Sequence, residues 1–133
     1  MRGTHTVGLS DARRIIDAGI AEADRTGSPG NIAVADAGDS LVTHVRMGGA
    51  QLGGIEHSID KAHTSVLFQS ATGDLTQGSE SGGQSWGMAL SGLGRALVFA
   101  GGVPLRGDGE VVAVGVSGGS REQDTAVAEA AAL

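Results

Sequence analysis

The chain has 133 residues, a formal net charge of −6 and 40% hydrophobic residues, which fits one domain built on a single core. Its Lys and Arg residues form no cluster of the kind that binds nucleic acid. Because the chain has no cysteine, it can form no disulfide, thiol nucleophile or thiolate iron–sulfur site. No apolar run reaches the roughly 18 residues of a membrane span, so we expect a soluble, cytoplasmic protein with no membrane partner.

The amino-acid composition also favours self-association. The chain contains 24 glycines and few aromatic residues, with one Trp, two Phe and no Tyr. A core made mostly of Ala, Val, Ile and Leu buries little area per side chain. Because a small domain of this kind gains stability by burying more surface, we expect a homo-oligomer.

The first half of the chain predicts a helix, a hairpin and a second helix. Apolar residues recur at helical spacing over residues 9–27, where Gly27 ends the pattern. Residues 31–37 and 40–47 predict two strands joined by a short glycine-containing turn. Residues 55–69 predict a long amphipathic helix.

The segment from Gly73 to Gly94 has no clear hydrophobic periodicity. A polar, glycine-rich stretch of this length inside a compact domain is typical of a lid, a binding loop or a disordered segment. Trp86 and Met88 lie within it, which indicates that part of the segment packs against the domain.

The last third of the chain predicts two strands and a helix, at residues 96–100, 110–117 and 120–133. Residues 102–105 continue or end the first of these strands, and residues 107–109 predict a turn before the second. The helix begins with a Ser-x-x-Gln capping box.

The predicted order of elements is α–β–β–α–β–β–α. This order favours an α+β fold, in which helices cover a central antiparallel or mixed sheet. No domain boundary or internal repeat is visible, so we expect residues 1–133 to form one domain.

A set of short motifs in a fixed order carries a resemblance to a known family. The motifs are Val34-Ala-Asp-Ala-Gly-Asp39, Arg46-Met47, Asp60-Lys-Ala62, Gly101-Gly-Val-Pro104, Gly107-Asp-Gly-Glu-Val-Val112, Gly115-Val-Ser-Gly-Gly119 and Gln123-Asp124. In this order and spacing they resemble the GlcG/HbpS-like family of haem-binding or haem-degrading domains. The C-terminal domain of PduO-type corrinoid adenosyltransferases belongs to the same family. The resemblance covers residues 9–133.

The resemblance implies a profilin-like or PAS-like fold with a central antiparallel sheet. It also implies compact homo-oligomers, often tetramers to octamers. Some members of the family bind haem or a corrinoid, so the resemblance makes haem a possible cofactor of this chain.

The second predicted helix carries the first candidate site residues. His57, Asp60, Lys61 and Thr64 fall on one arc of the helix, opposite its apolar stripe. In the functional interpretation, His57 is a general base or an iron ligand, and Lys61 is an anion binder or a proton donor. In the alternative interpretation, the arc is a solvated face supported by pairs of polar residues one turn apart.

The remaining candidates lie around this helix. His63 is a second metal ligand if haem binds, or else a partly buried structural histidine. Arg46, near the end of the second strand, can meet an anionic group such as a propionate. The predicted ligand-binding residues are therefore Arg46, Lys61, Thr64, Gly101, Gly102 and Pro104. Asp124, in the first turn of the last helix, is interpreted as stabilising the helix dipole.

Three hypotheses about function follow. In the first, the chain is a small-ligand-binding domain that takes haem, a corrinoid or an organic acid. In the second, it is an enzyme on the same scaffold, in which Lys61 and His57 perform acid–base chemistry on a small metabolite and the Gly73–Gly94 segment acts as a lid. In the third, it is a structural or accessory oligomer without pocket chemistry.

Overall fold

A computed structural model describes residues 6–107 and 110–133. The helices are α1 (Leu9–Thr26), α2 (Gly54–Phe68), α3 (Thr72–Ser79), α4 (Ser91–Gly94) and α5 (Arg121–Ala132), with a 3₁₀ turn at Met88–Leu90 before α4. The strands are β1 (Asn31–Ala35), β2 (Leu41–Arg46), β3 (Gly102–Gly107) and β4 (Glu110–Ser117). The centre of the turn predicted at residues 107–109 lies outside the described residues.

The four strands form one antiparallel sheet in the order β2-β1-β4-β3. Helices α1 and α5 pack on one face of the sheet, over Ile32, Val34, Val114 and Val116. Helix α2 packs on the other face, over small side chains that include Ala33, Ala35 and Ala113. Because both faces are covered, every residue of the central strand β1 is buried. The predicted α+β fold with a central antiparallel sheet is confirmed.

Two predicted local signals at helix ends are also confirmed. Gly27 ends α1 in the left-handed region, at φ 66°, which glycine adopts without steric cost. At the start of α5, the Gln123 N–H donates to the Ser120 hydroxyl and the Ser120 N–H donates to Oε1 of Gln123. This capping box fixes the point at which the chain leaves β4 and enters the helix.

The strand predicted at residues 96–100 is wrong. This segment is irregular, and side-chain hydroxyls of the neighbouring helices take the place of a partner strand. The Leu97 N–H donates to Oγ1 of Thr64 (2.9 Å), and the Thr72 hydroxyl donates to the Phe99 carbonyl (2.6 Å). Through these contacts the segment runs along α2 and α3, and the strand begins only at Gly102.

The Gly73–Gly94 segment contains more structure than the sequence predicts. Most of α3, the 3₁₀ turn and all of α4 fall within it. Part of the segment packs against the domain, as predicted, because α3 contacts α2 and β3, whereas Trp86 itself is 69% exposed. Within the described ranges, no helix is both long and apolar enough to cross a membrane.

Candidate functional site

Helix α2 lies unusually close to the sheet, because glycines face it from two strands. A Cβ atom on Gly115 of β4 would collide with the Ser58 carbonyl oxygen. A Cβ atom on Gly102 of β3 would lie 2.6 Å from the Lys61 carbonyl oxygen. Only glycine permits this approach of two backbones, and it brings the middle of α2 against β4.

The side chain of Lys61 is buried at this point of close approach, with 4% of the residue exposed. Its Nζ donates to the Val116 carbonyl oxygen (2.8 Å) and to Oδ2 of Asp124 in the first turn of α5 (3.3 Å). The other carboxylate oxygen of Asp124 accepts from the Gly119 N–H (2.9 Å). One buried ion pair therefore joins α2, β4 and α5.

Burial changes the proton affinity of both members of this pair. Burial lowers the pKa of Lys61 below its ordinary value, and the charge of Asp124 offsets part of this effect. Burial raises the pKa of Asp124, against the opposing effects of the Gly119 N–H and of Lys61. Both changes favour the neutral forms, so the two groups are suited to exchanging a proton.

The ion pair lies in the wall of an open cleft of about 350 Å³ between α2, the start of α5 and the segment before β3. Two further cationic or titratable side chains, Arg121 and His57, line the same cleft. The remaining lining residues are Gln51, Phe99, Ala100, Ser117, Gly118 and Gly119. With the basic side chains of Lys61 and Arg121 against the single carboxylate of Asp124, the lining of the cleft favours an anionic ligand, although the chain as a whole carries a net charge of −6.

The predicted site residues are only partly brought together. Lys61 and His57 line the cleft. Gly101 lies beside it, where a Cβ atom would be 2.9 Å from Nζ of Lys61, and Gly102 faces the backbone of Lys61. Thr64 is buried one turn further along α2, and its hydroxyl donates to the Asp60 carbonyl (2.7 Å), so it has a structural role.

The other predicted residues lie outside the lining of the cleft. Arg46 is exposed at the end of β2, opposite Asn31 of β1. Pro104 lies in the edge strand β3, opposite Ala113. His63 is buried on another side of α2, where its Nδ1 contacts the carboxylate of Asp39.

His57 and His63 therefore do not converge on a common ligand. His57 lines the cleft, whereas His63 lines a separate, small cavity beside Asp39 and Arg95. Across residues 6–107 and 110–133, no group of three or more His, Asp or Glu side chains is arranged to hold a metal ion.

Sequence reasoning missed Arg121 as a site residue and assigned Asp124 to the helix dipole alone. Both enter the cleft because the turn after β4 places the first turn of α5 beside α2. The sequence carries no signal for the partner of Asp124, because the helical pattern places Lys61 opposite the apolar stripe. Its burial, which requires a partner for the charge, is visible only in the structure.

Comparisons with known proteins agree on one family. The profile of the family described as haem degrading protein HbpS-like matches residues 7–133. An uncharacterized 15.0 kDa protein from the dhaT-dhaS intergenic region of Citrobacter freundii is 33% identical over 127 residues, which cover 95% of this chain and 89% of the relative.

Two solved structures resemble the whole fold. The crystal structure of Klebsiella pneumoniae protein ORFY has a TM-score of 0.96 at 28% identity. The match covers 99% of this chain and 92% of the ORFY chain. The crystal structure of a PduOC:haem complex has a TM-score of 0.90 at 29% identity. The match covers 95% of this chain and 92% of the PduOC chain. The chain therefore belongs to the HbpS-like family, as its motifs indicate.

Proposed function

We propose that the chain is a small-ligand-binding domain and that the cleft beside Lys61 is its binding site. The observation that carries this proposal is the convergence of Lys61, Arg121 and His57 on one open cleft. A volume of about 350 Å³ lies in the range of small-molecule sites. The excess of cationic groups favours a ligand that carries carboxylates or another anionic group.

Haem is the ligand that the relatives favour, because one of them is a PduOC domain in complex with haem and the family is described as haem degrading. The residues at the mouth of the cleft suit this group. His57 offers an exposed imidazole for the iron, Arg121 offers a guanidinium for a propionate, and the 59% exposed ring of Phe99 offers an apolar surface for the porphyrin. Bound haem would supply iron redox chemistry, while these side chains bind and orient it.

Titration with haemin tests this assignment. The wild-type protein should shift the Soret band at stoichiometric haemin, and His57→Ala should lose or greatly weaken the shift. His63→Ala is the matched control, since this imidazole lies outside the cleft and its removal should leave the shift unchanged in folded protein. Absence of a shift in the wild type would exclude haem. Calorimetry with a corrinoid and with an organic acid then tests the remaining ligands, and the absence of binding by any of them would contradict the proposal.

We further propose that the chain forms a homo-oligomer, from a tetramer to an octamer. Several large apolar side chains between α3 and β3 are exposed, among them Trp86, Leu90 and the fully exposed Leu93. Apolar surface of this kind is typical of an interface. Light scattering should report an oligomer for the wild type and smaller species for Leu93→Glu. A monomeric wild type would contradict the proposal.

A further inference from the structure

Lys61 differs from every other cationic residue of the chain. It is the only lysine among 133 residues, and the other strongly basic side chains are all arginines. An arginine could also pair with a buried carboxylate, and its planar fork is the better partner for one. What lysine alone offers is a primary amine that can lose its proton and react.

The surroundings of the amine fit such a role. Nζ is held in the wall of the cleft by the Val116 carbonyl oxygen (2.8 Å), and a carboxylate oxygen of Asp124 lies within reach of its proton (3.3 Å). Gly101 carries no Cβ atom, which would lie 2.9 Å from Nζ, so the glycine leaves room for the amine at this position. Burial, which lowers the pKa of Lys61, increases the fraction of the reactive neutral amine.

Arg121 lines the same cleft as the amine. A guanidinium binds a carboxylate through two parallel hydrogen bonds. A ligand that carries both a carboxylate and a carbonyl group could therefore bind Arg121 at one end and present its carbonyl carbon to Lys61 at the other.

We propose that Lys61 is a nucleophile that forms an imine with the carbonyl carbon of a small oxo acid whose carboxylate binds Arg121. This inference deepens the proposed function and rests on it, since it requires a small anionic ligand in the cleft. Asp124 accepts a proton from the ammonium group, and the neutral amine then forms the C–N bond. The proton that the amine nitrogen loses passes to the carbonyl oxygen and gives a carbinolamine. The C–O bond breaks, the hydroxyl leaves as water with the proton held by Asp124, and nothing is oxidised or reduced.

Reductive trapping tests the proposal directly. The full chain is incubated with succinic semialdehyde and cyanoborohydride, and the product is followed by intact mass and by proteolytic mapping. Because the chain has one lysine, its side chain and the amino terminus are the only primary amines, and mapping separates them. We expect a single adduct on Lys61 in the wild type. An adduct confined to the amino terminus would overturn the proposal.

Butanal, which lacks the carboxylate, tests the role of Arg121. Succinic semialdehyde should modify Lys61 about tenfold faster than butanal does, the difference that one hydrogen bond to a charged group supplies. Arg121→Ala should remove this preference, and Arg13→Ala, an exposed change on the helix across the sheet, should retain it. Equal rates for the two aldehydes in the wild type would overturn the assignment to oxo acids.

Lys61→Arg provides the negative control, since it keeps the charge and removes the amine. Circular dichroism verifies that this variant folds, and the wild-type mapping remains decisive if it does not. A haemin titration of the same preparations separates the two proposals. Haemin binding without trapping would leave the binding site in place and exclude the imine, whereas the absence of both would count against the cleft as a binding site.

Discussion

Two glycine-containing stretches of this chain differ in what their glycines do. At Gly102 and Gly115, in β3 and β4, an added Cβ atom would meet the backbone of α2. At Gly82, Gly87 and Gly94, between α3 and β3, φ is positive and no atom lies within 4 Å of an added Cβ. The first kind permits close packing, and the second permits turns.

The difference extends to the surfaces that the two stretches form. The strand glycines bring α2 onto the sheet and bury the Lys61–Asp124 ion pair. The turn glycines connect short helices that leave Trp86 and Leu93 exposed. A high glycine content is therefore compatible with the most tightly packed part of a domain as well as with its loosest part.

Removal of one member of the buried ion pair should have the largest effect on stability. Lys61→Met leaves the Asp124 carboxylate buried without a partner, so we expect a loss of about 3–5 kcal/mol in the free energy of unfolding by urea. The double variant Lys61→Met/Asp124→Leu should recover most of this loss, because no charge remains buried. The matched control is Arg95→Ala, which breaks a partly exposed pair with Asp60 and should cost about 1 kcal/mol or less.

A double variant as unstable as Lys61→Met would show that packing around the lysine stem, rather than the unpaired charge, dominates. A control loss as large as that of Lys61→Met would contradict the distinction between the buried and the exposed pair.

Alanine at the two kinds of glycine should separate close packing from turn formation. Gly115→Ala must move α2 away from β4, so we expect a loss of about 1–3 kcal/mol in the free energy of unfolding, as for overpacked cores. The near-UV circular dichroism or the binding of ligand should change as well. At Gly87→Ala the new Cβ atom meets no neighbour, and the only cost is the positive φ. We therefore expect a loss of about 1 kcal/mol in the free energy of unfolding and an unchanged cleft. Equal losses and equal effects on the cleft would remove the contrast.

The smallest expected effect is a pH dependence at the edge of the sheet. His44 of β2 is half-buried, and burial lowers its pKa below the ordinary value of 6.5. The unfolded chain therefore binds a proton on His44 at about pH 6.5, whereas the folded chain binds this proton only at a lower pH. The stability that neutral His44 contributes is thus present above pH 6.5 and is lost as the pH falls below it. Urea unfolding at about pH 7.5 and about pH 5.5 should show a smaller loss on acidification for His44→Gln than for the wild type. Parallel losses would contradict this assignment.

The sequence predicts the fold better than the site because the fold is encoded by local signals. Gly27, the Ser120–Gln123 capping box and the valine-rich run of residues 110–117 each act within a few residues, and each is found where it is predicted. The segment at residues 96–100 has the composition of a strand, and only the positions of Thr64 and Thr72 decide that hydroxyl groups bind its backbone instead.

The cleft depends on residues that are far apart in the sequence. The helical arc of His57 and Lys61 identifies one wall. The opposite wall comes from Arg121 and Asp124, sixty residues later and on another helix. No periodicity links the two, so their meeting follows from the path of β4 between α2 and α5.

The position of Pro104 limits how copies of this domain can associate. β3 is an outer strand of the sheet, and the Val116 N–H donates to the Gly101 carbonyl. In an antiparallel ladder this makes the Pro104–Ala113 pair a non-hydrogen-bonded one, so the proline nitrogen points towards the open side of the strand. A backbone donor is missing there, which discourages another strand from aligning along β3. The other outer strand, β2, contains no proline, so copies of the domain that extend the sheet should do so through β2 and not through β3.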